Sequence, residues 1–199
     1  MPVLCVSQLC RTKFLGMFEV TNVTTPSGKK LPPWSFVSRH TDREKLPLLT
    51  GDYKPDAVAI EAVWYDPGNN PHLVLVKQFR APVGCSIIEL PAGLVDKNEI
   101  ALNAAIRETL EETGLKLTID STKNMNCGFS SAGCTDEFIG IVTGICEGIP
   151  SNVFQESGED IQVILADVDD CQAILDTHAF CDIRASFAIR LFIEKFGTN

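Results

Sequence analysis

The chain has 199 residues, 45% of them hydrophobic, which suits one sizeable core and a small additional unit. Its formal net charge of −9 argues against nucleic acid and anionic membranes as partners, because both would repel the chain on average. The eight cysteines form no C-x-x-C pair, and neither a secretory signal nor a transmembrane-length apolar run is found, so we expect a soluble, cytoplasmic protein with reduced thiols.

Residues 1–50 predict a small β-rich unit. Their short apolar runs are interrupted by a turn sequence at 25–28 and by Pro32 and Pro33, a pattern typical of strands and turns. Residues 57–65 and 73–79 are apolar runs separated by a turn-rich segment, which predicts two core strands joined as a hairpin. We therefore place a domain boundary near residue 50, with residues 51–199 as the main domain.

A helix is predicted from about Glu99 to Thr113. Asn98 suits its N-cap, and Gly114 suits a left-handed stop after its last turn. The apolar positions that recur with helical spacing form the predicted packing stripe, which consists of Leu102, Ala105, Ile106 and Leu110.

Further strands are predicted at residues 115–119, 138–146 and 161–166, and two helices close the chain. The last helix is expected from Ile183 to Phe196, with Asp182 as its N-cap. Its predicted packing stripe consists of Ile183, Phe187, Ala188, Leu191 and Phe192.

Three carboxylates of the first helix, those of Glu108, Glu111 and Glu112, fall at i, i+3 and i+4 and must meet near one point. Like charges so close repel one another unless a cation compensates them, and hard oxygen ligands select Mg²⁺ or Mn²⁺. A Mg²⁺ ion held by few protein carboxylates keeps coordination positions for substrate phosphates. The pattern therefore predicts a divalent-metal site that can bind substrate phosphates.

The segment from Gly93 to Leu115 resembles the Nudix box, written G-x5-E-x7-R-E-U-x-E-E-x-G-U, in which U is a bulky aliphatic residue. Every Gly, Glu and Arg of that pattern is present at its spacing. The one departure is Thr109, where an aliphatic residue is usual and a β-branched side chain can still pack. The resemblance implies the Nudix fold, an α/β/α sandwich with a mixed sheet, in addition to the small β-rich N-terminal unit.

The same resemblance implies roles for individual residues. It assigns direct metal ligation to three groups, which are the carboxylates of Glu108 and Glu112 and the backbone carbonyl of Ala92. Arg107 is implied to orient Glu111 through a salt bridge, and Glu99 is implied as an outer participant. The implied cofactor is Mg²⁺, with Mn²⁺ as a possible substitute.

The flanks of the box, residues 76–84 and 88–93, resemble the ADP-ribose or ADP-sugar pyrophosphatase subgroup. This implies hydrolysis of ADP-ribose or a related ADP-sugar to AMP and a sugar phosphate, in a homodimer with an exchanged N-terminal unit. The residues that the resemblance assigns to substrate binding are Phe14, Trp34, Arg39, Arg80 and Glu89, with the two aromatic residues stacking on the base. Two alternatives are a broader pyrophosphatase of UDP- or GDP-sugars and a non-catalytic ADP-ribose-binding sensor.

The general base is expected in the polar segment 155–160, because the subgroup uses a glutamate from a loop between its later strands. Glu159 is preferred for its Glu-Asp-Ile context, and Glu156 is the alternative. After the box, Ala132 stands where the subgroup usually carries a proline. We expect this replacement to loosen the substrate-side loop.

Overall fold

The computed structural model describes residues 4–122, 125–155, 158, 160–177 and 179–197. Contacts divide the chain into two compact units. Unit 1 comprises the chain up to Asp56 together with residues 127–139, and unit 2 comprises residues 57–126 and the chain from Gly140 onward. Among the described residues, none of the helices has the length and apolar character needed to span a membrane.

Unit 1 contains the predicted β-rich structure. Strands β1 (Cys5–Arg11), β2 (Gly16–Thr21) and β3 (Trp34–Ser38) form an antiparallel sheet in that order, followed by the short helix α1 (Pro47–Thr50). The predicted turn lies between β2 and β3, where Gly28 has a φ of 84° and donates its N–H to the carbonyl of Thr25 at 2.8 Å. Val6, Phe18 and Leu46 form the small buried core.

The remaining elements follow in chain order. They are β4 (Ala57–Tyr65), β5 (Pro71–Arg80), β6 (Cys85–Glu89), β7 (Ala92–Leu94), α2 (Ala101–Thr113), β8 (Lys116–Ile119), β9 (Asn126–Phe129), β10 (Phe138–Glu147), β11 (Ile161–Ala166), α3 (Val168–Asp176) and α4 (Ile183–Phe196). The predicted hairpin is confirmed, because β4 and β5 pair antiparallel with Val63 opposite Leu73.

A mixed sheet with helices forms unit 2, as the sequence predicted. Its main strand order is β11-β5-β4-β10-β8, with β6 paired to β5 and β7 to β4. Helix α2 packs on β4, β7 and β8, and α3 and α4 pack on each other and on β5, β6 and β11. Apolar side chains of β4 and of α2 meet in the core, where Ile60, Ala104 and Ala105 are fully buried.

The start of α2 differs from the prediction. The helix begins at Ala101, with Ile100 in the N-cap position, instead of at Glu99. Asn98 is not the N-cap, because it has a φ of 69° and belongs to a preceding turn in which Glu99 donates its N–H to Asp96 O at 3.0 Å. Gly114 ends the helix in the predicted left-handed conformation, with a φ of 72°.

The predicted packing stripe of α2 was wrong in part. Leu102 and Ile106 are 39% and 43% exposed, whereas Ala104 and Thr109 are fully buried. Small side chains on the buried face let the helix lie close to the sheet, so the larger residues turn outward. Thr109 packs in the core as expected, and its hydroxyl donates to Ala105 O at 2.7 Å, which satisfies its polar group.

Helix α4 has the predicted bounds and the predicted N-cap, since Asp182 accepts the Arg184 N–H at 2.8 Å. Its predicted stripe was also wrong in part, because Ile183, Phe187 and Leu191 are exposed. The face that packs is formed by Ala185, Ala188, Ile189 and Phe192. These positions follow the i, i+3, i+4, i+7 spacing of one helical face, and they include Ala188 and Phe192 of the predicted stripe.

Candidate active site

The carboxylates of α2 line a cavity of about 310 Å³ in unit 2, here called the carboxylate cavity. Its other walls come from β5 and from the segment around β7. The residues that matter below are Arg80, Ala92, Gly93, Arg107, Glu108, Glu111 and Glu112, together with Gln78 of β5. The cavity thus brings together all the metal-site residues that the box predicted, along with Arg80.

Arg107 makes five hydrogen bonds at the edge of this cavity. Its Nε and Nη2 reach the two oxygens of Glu99 at 3.1 and 2.9 Å, and Nη2 also donates to Leu94 O at 2.9 Å. Its Nη1 donates to Glu108 Oε1 at 2.7 Å and to Glu111 Oε2 at 2.9 Å. The predicted contact with Glu111 is present, and one guanidinium is hydrogen-bonded to three carboxylates.

The charges of this network stabilise one another. The hydrogen bond from Arg107 lowers the pKa of Glu99. Hydrogen bonds to Glu99, and then to Glu108 and Glu111, raise the pKa of Arg107 and so stabilise its cationic form.

The segment before α2 packs directly against the helix carboxylates. Glu112 is buried, and its Oε2 accepts the Ala92 N–H at 3.0 Å. Glu108 lies against Gly93, where a Cβ atom would overlap the Glu108 carboxylate. The glycine that begins the box is therefore required for close approach of the loop to a predicted metal ligand.

The donor set suits a hard divalent cation, because it consists of carboxylate oxygens. Within the described residues, however, no three His, Cys, Asp or Glu side chains are grouped closely enough to hold a metal ion as they stand. Oxygens of Glu108 and Glu112 accept hydrogen bonds from Arg107 and from the Ala92 N–H instead. Chemically the residues fit Mg²⁺, because Glu108, Glu111 and Glu112 offer carboxylate oxygens to one cavity.

Arg80 and Glu89, both predicted to bind substrate, contact each other. Arg80 Nε and Nη2 donate to Glu89 Oε2 at 2.9 and 2.8 Å, and Glu89 is buried. Arg80 is more exposed and lines the carboxylate cavity. Glu89 therefore fixes the guanidinium, and Arg80 is the member of the pair that faces the cavity.

The two predicted base-stacking residues, Trp34 and Phe14, do not line the same pocket of unit 1. Trp34 lines an aromatic pocket of about 240 Å³ that also includes Phe36, Tyr53 and Phe129. Phe14 does not line this pocket; it is exposed beside Lys13, whose Nζ lies 4.8 Å from the ring centroid. Tyr53 and Phe129 were missed from sequence, because each is an isolated aromatic without a recognisable spacing.

The loop at 130–137 is held by β3. Trp34 Nε1 donates to Gly133 O at 3.0 Å, and the Val37 N–H donates to Cys134 O at 2.9 Å. Two side-chain hydrogen bonds hold the same loop. Ser38 Oγ donates to Asp136 Oδ2 at 3.0 Å, and Arg39 Nε donates to Glu137 Oε1 at 2.8 Å. These bonds hold the loop that contains Ala132, and a loosening relative to a loop with proline stays a prediction.

Unit 1 also contains a cluster of two half-buried carboxyl groups, those of Asp56 and Asp136, that the sequence did not reveal. Burial raises the pKa of both Asp56 and Asp136. His40 Nε2 lies 3.5 Å from Asp56 Oδ1, whereas Asp136 Oδ1 is buried without a hydrogen-bond partner among the described residues. The cluster therefore opposes folding when both carboxyl groups are ionised.

The two candidates for the general base, Glu159 and Glu156, lie outside the described residues. Gln155, which precedes them, was not singled out from sequence. Its Nε2 donates to Glu112 O at 3.2 Å and to Ile161 O at 2.8 Å. No local pattern predicts these bonds, because one of them joins residues 43 positions apart.

The chain is similar to known proteins in sequence and in fold. A model of the NUDIX domain matches residues 55–174. An ADP-ribose pyrophosphatase of Bacillus subtilis is 30% identical over 141 residues, which cover 68% of this chain and 71% of that protein. An uncharacterized Nudix hydrolase of Schizosaccharomyces pombe is 47% identical over 88 residues, or 44% of this chain, and the match spans only 41% of that protein's length. A crystal structure of an ADP compounds hydrolase shares the fold, with a TM-score of 0.64 at 15% identity over 98% of this chain and 96% of the other.

Proposed function

The chain belongs to the Nudix family, and from that premise we propose that it hydrolyses the diphosphate bond of ADP-ribose or a related ADP-sugar to AMP and a sugar phosphate. One observation carries the proposal. Arg107 gathers the carboxylates of Glu99, Glu108 and Glu111 beside the same cavity that Arg80 lines. Metal-binding oxygens and a phosphate-binding cation are the two requirements of diphosphate hydrolysis.

We propose that Glu108, Glu112 and the carbonyl of Ala92 hold Mg²⁺, or Mn²⁺ in its place. Such an ion, when bound, neutralises charge on the departing phosphate oxygen. Arg107 keeps Glu111 and Glu108 at the cavity edge and supplies the positive charge that keeps them close. The buried carboxylate of Glu112 holds the backbone of Ala92 at the same place.

Substrate phosphate is proposed to bind Arg80, whose guanidinium offers a planar fork for two oxygens. Glu89 holds that side chain in one orientation, which limits the entropy lost when phosphate binds. Glu159 is proposed to deprotonate the attacking water in line with the leaving group, with Glu156 as the alternative.

The nucleobase is proposed to stack on Trp34 in the aromatic pocket of unit 1. Stacking contributes about 1 to 3 kcal/mol per base and tolerates any base, because every base has a π-face. This tolerance favours a second candidate activity, hydrolysis of UDP- or GDP-sugars. Phe14 and Arg39 stay predicted substrate contacts, with Glu137 orienting the Arg39 guanidinium.

The test is incubation with Mg²⁺ and ADP-ribose, ADP-glucose, UDP-glucose or GDP-mannose, followed by separation of the nucleotide products. The proposal expects AMP from the ADP compounds at the highest kcat/KM. Faster release of UMP or GMP would support the second candidate. Tight binding of ADP-ribose without any monophosphate product would instead identify a non-catalytic sensor and refute hydrolysis.

The homodimer and the cytoplasmic location stay predictions. Light scattering coupled to size exclusion should give about twice the 21.8 kDa mass of the chain if it dimerises. A monomer mass at all concentrations would exclude substrate contacts donated by a second copy.

A further inference from the structure

Gln155 joins two elements that border the carboxylate cavity. We propose that Gln155 is a positioning residue, which fixes the C-terminal end of α2, and with it Glu112, to the first residue of β11. The inference rests on the proposed function, because Glu112 is a metal ligand there.

The side-chain amide of Gln155 serves two backbone acceptors at once. Its Nε2 donates to Glu112 O at 3.2 Å and to Ile161 O at 2.8 Å. An amide nitrogen carries two N–H groups, so both bonds can form together. The carbonyl of Glu112 belongs to the last turn of the helix, where carbonyls have no donor within the helix. Gln155 therefore caps the helix end and ties it to a strand.

The segment that leads to Gln155 packs directly on the same helix end. The Ser151 N–H donates to Thr113 O at 2.9 Å, and the Val153 N–H donates to Ser151 Oγ at 3.2 Å. A Cβ atom added to Gly114 would come within 2.7 Å of the Ser151 nitrogen, so the glycine allows this approach. The Gln155 side chain is thus part of a continuous attachment from residue 151 to residue 155.

The two residues that Gln155 joins, Glu112 and Ile161, each contact a residue that lines the carboxylate cavity. The carboxylate of Glu112 holds the Ala92 N–H, as described above. Ile161 is buried and pairs in register with Gln78, which lines the carboxylate cavity. In sequence, the predicted bases lie between Gln155 and Ile161. Loss of the bridge should therefore weaken metal binding and slow the chemical step more than it weakens substrate binding.

The experiment compares Gln155→Met, which keeps the length of the side chain but removes both donors, with the wild-type full chain. Mn²⁺ binding is measured by calorimetry without substrate, and kcat, KM and thermal unfolding are measured separately. We expect the Kd for Mn²⁺ to rise and kcat to fall by about tenfold each, the lower end for residues that orient metal ligands, with KM changed by less than about twofold. The matched control is Gln162→Met, an exposed position on β11, which should leave all values unchanged.

A lower melting temperature with wild-type Mn²⁺ affinity and wild-type kcat would overturn the proposal, because the bridge would then be only structural. If Gln155→Met fails to fold, Gln155→Asn replaces it, since the shorter amide cannot span both carbonyls, and the same outcomes apply. If the wild type releases no monophosphate, only the hydrolase proposal is refuted. The Mn²⁺ affinity of Gln155→Met, compared with that of the wild type, still tests the positioning role of Gln155. A wild type that binds no Mn²⁺ would overturn both.

Discussion

Replacing Arg107 by lysine tests whether the guanidinium network stabilises the protein. Arg107 makes five hydrogen bonds, and a lysine ammonium has only three donors, so at least two bonds are lost. A hydrogen bond to a charged group contributes about 1.5 to 3 kcal/mol when buried, and about 1 kcal/mol is appropriate here, because the Arg107 side chain is 30% exposed. The expected loss of about 2 kcal/mol lowers the melting temperature by about 4 to 8 °C for a chain of this size.

The assay is calorimetric unfolding in EDTA, so that no metal contributes. Arg190→Lys is the matched control, because Arg190 is exposed on α4 and forms no ion pair with any described residue. A melting temperature of Arg107→Lys within about 1 °C of the wild type would refute the reasoning, since the network would then be no stronger than an exposed ion pair.

The same network predicts how metal should act on a variant without the charge. Arg107→Met leaves three carboxylates close together without their cation, so Mg²⁺ should raise its melting temperature more than that of the wild type. An equal or smaller rise would contradict the view that Arg107 and the metal both compensate the negative charge of these carboxylates.

Three further predictions concern other residues of the two units. Gly93→Ala should displace the Glu108 carboxylate without backbone strain and weaken Mn²⁺ binding by at least about tenfold in calorimetry; unchanged affinity would contradict it. Burial raises the pKa of Asp136, so the folded state binds more protons than the unfolded state and stability falls as pH rises from the ordinary aspartate value to the raised one. Asp136→Asn should therefore stabilise the protein at pH 7 in urea unfolding, with a gain that disappears on acidification; a constant gain would exclude titration as the cause. Glu159→Gln should lower kcat by about 100-fold if Glu159 is the base, and wild-type turnover would rule out that role.

Local features of the chain predicted the strands and the side of α2 that carries the carboxylates lining the cavity. Continuous apolar runs bounded by turn residues located β4 and β5, because burial on both faces requires such runs. The spacing of Glu108, Glu111 and Glu112 placed them on one side of α2, because helix geometry fixes the positions i, i+3 and i+4. These are relations within one element, which a sequence records directly.

Relations between elements were not predictable in the same way. The bidentate contact of Arg107 with Glu99 depends on the turn at Asn98, whose positive φ no pattern required. The buried face of α2 depends on how closely the helix approaches the sheet, so Ala104 is buried where Leu102 was expected. The bond from Trp34 to Gly133 joins residues 99 positions apart.

Unit 1 is built from two separate stretches of the chain, which limits how this protein can be truncated or recombined with a relative. Its polypeptide is discontinuous, since residues 127–139 belong to it although they lie inside the sequence of unit 2. A fragment beginning at residue 51 would keep the 130–137 loop but lose the donors on Trp34, Val37, Ser38 and Arg39 that hold it. Chimaeras that exchange the N-terminal strands between relatives should therefore exchange residues 127–139 as well, because the two stretches must be inherited as a matched pair.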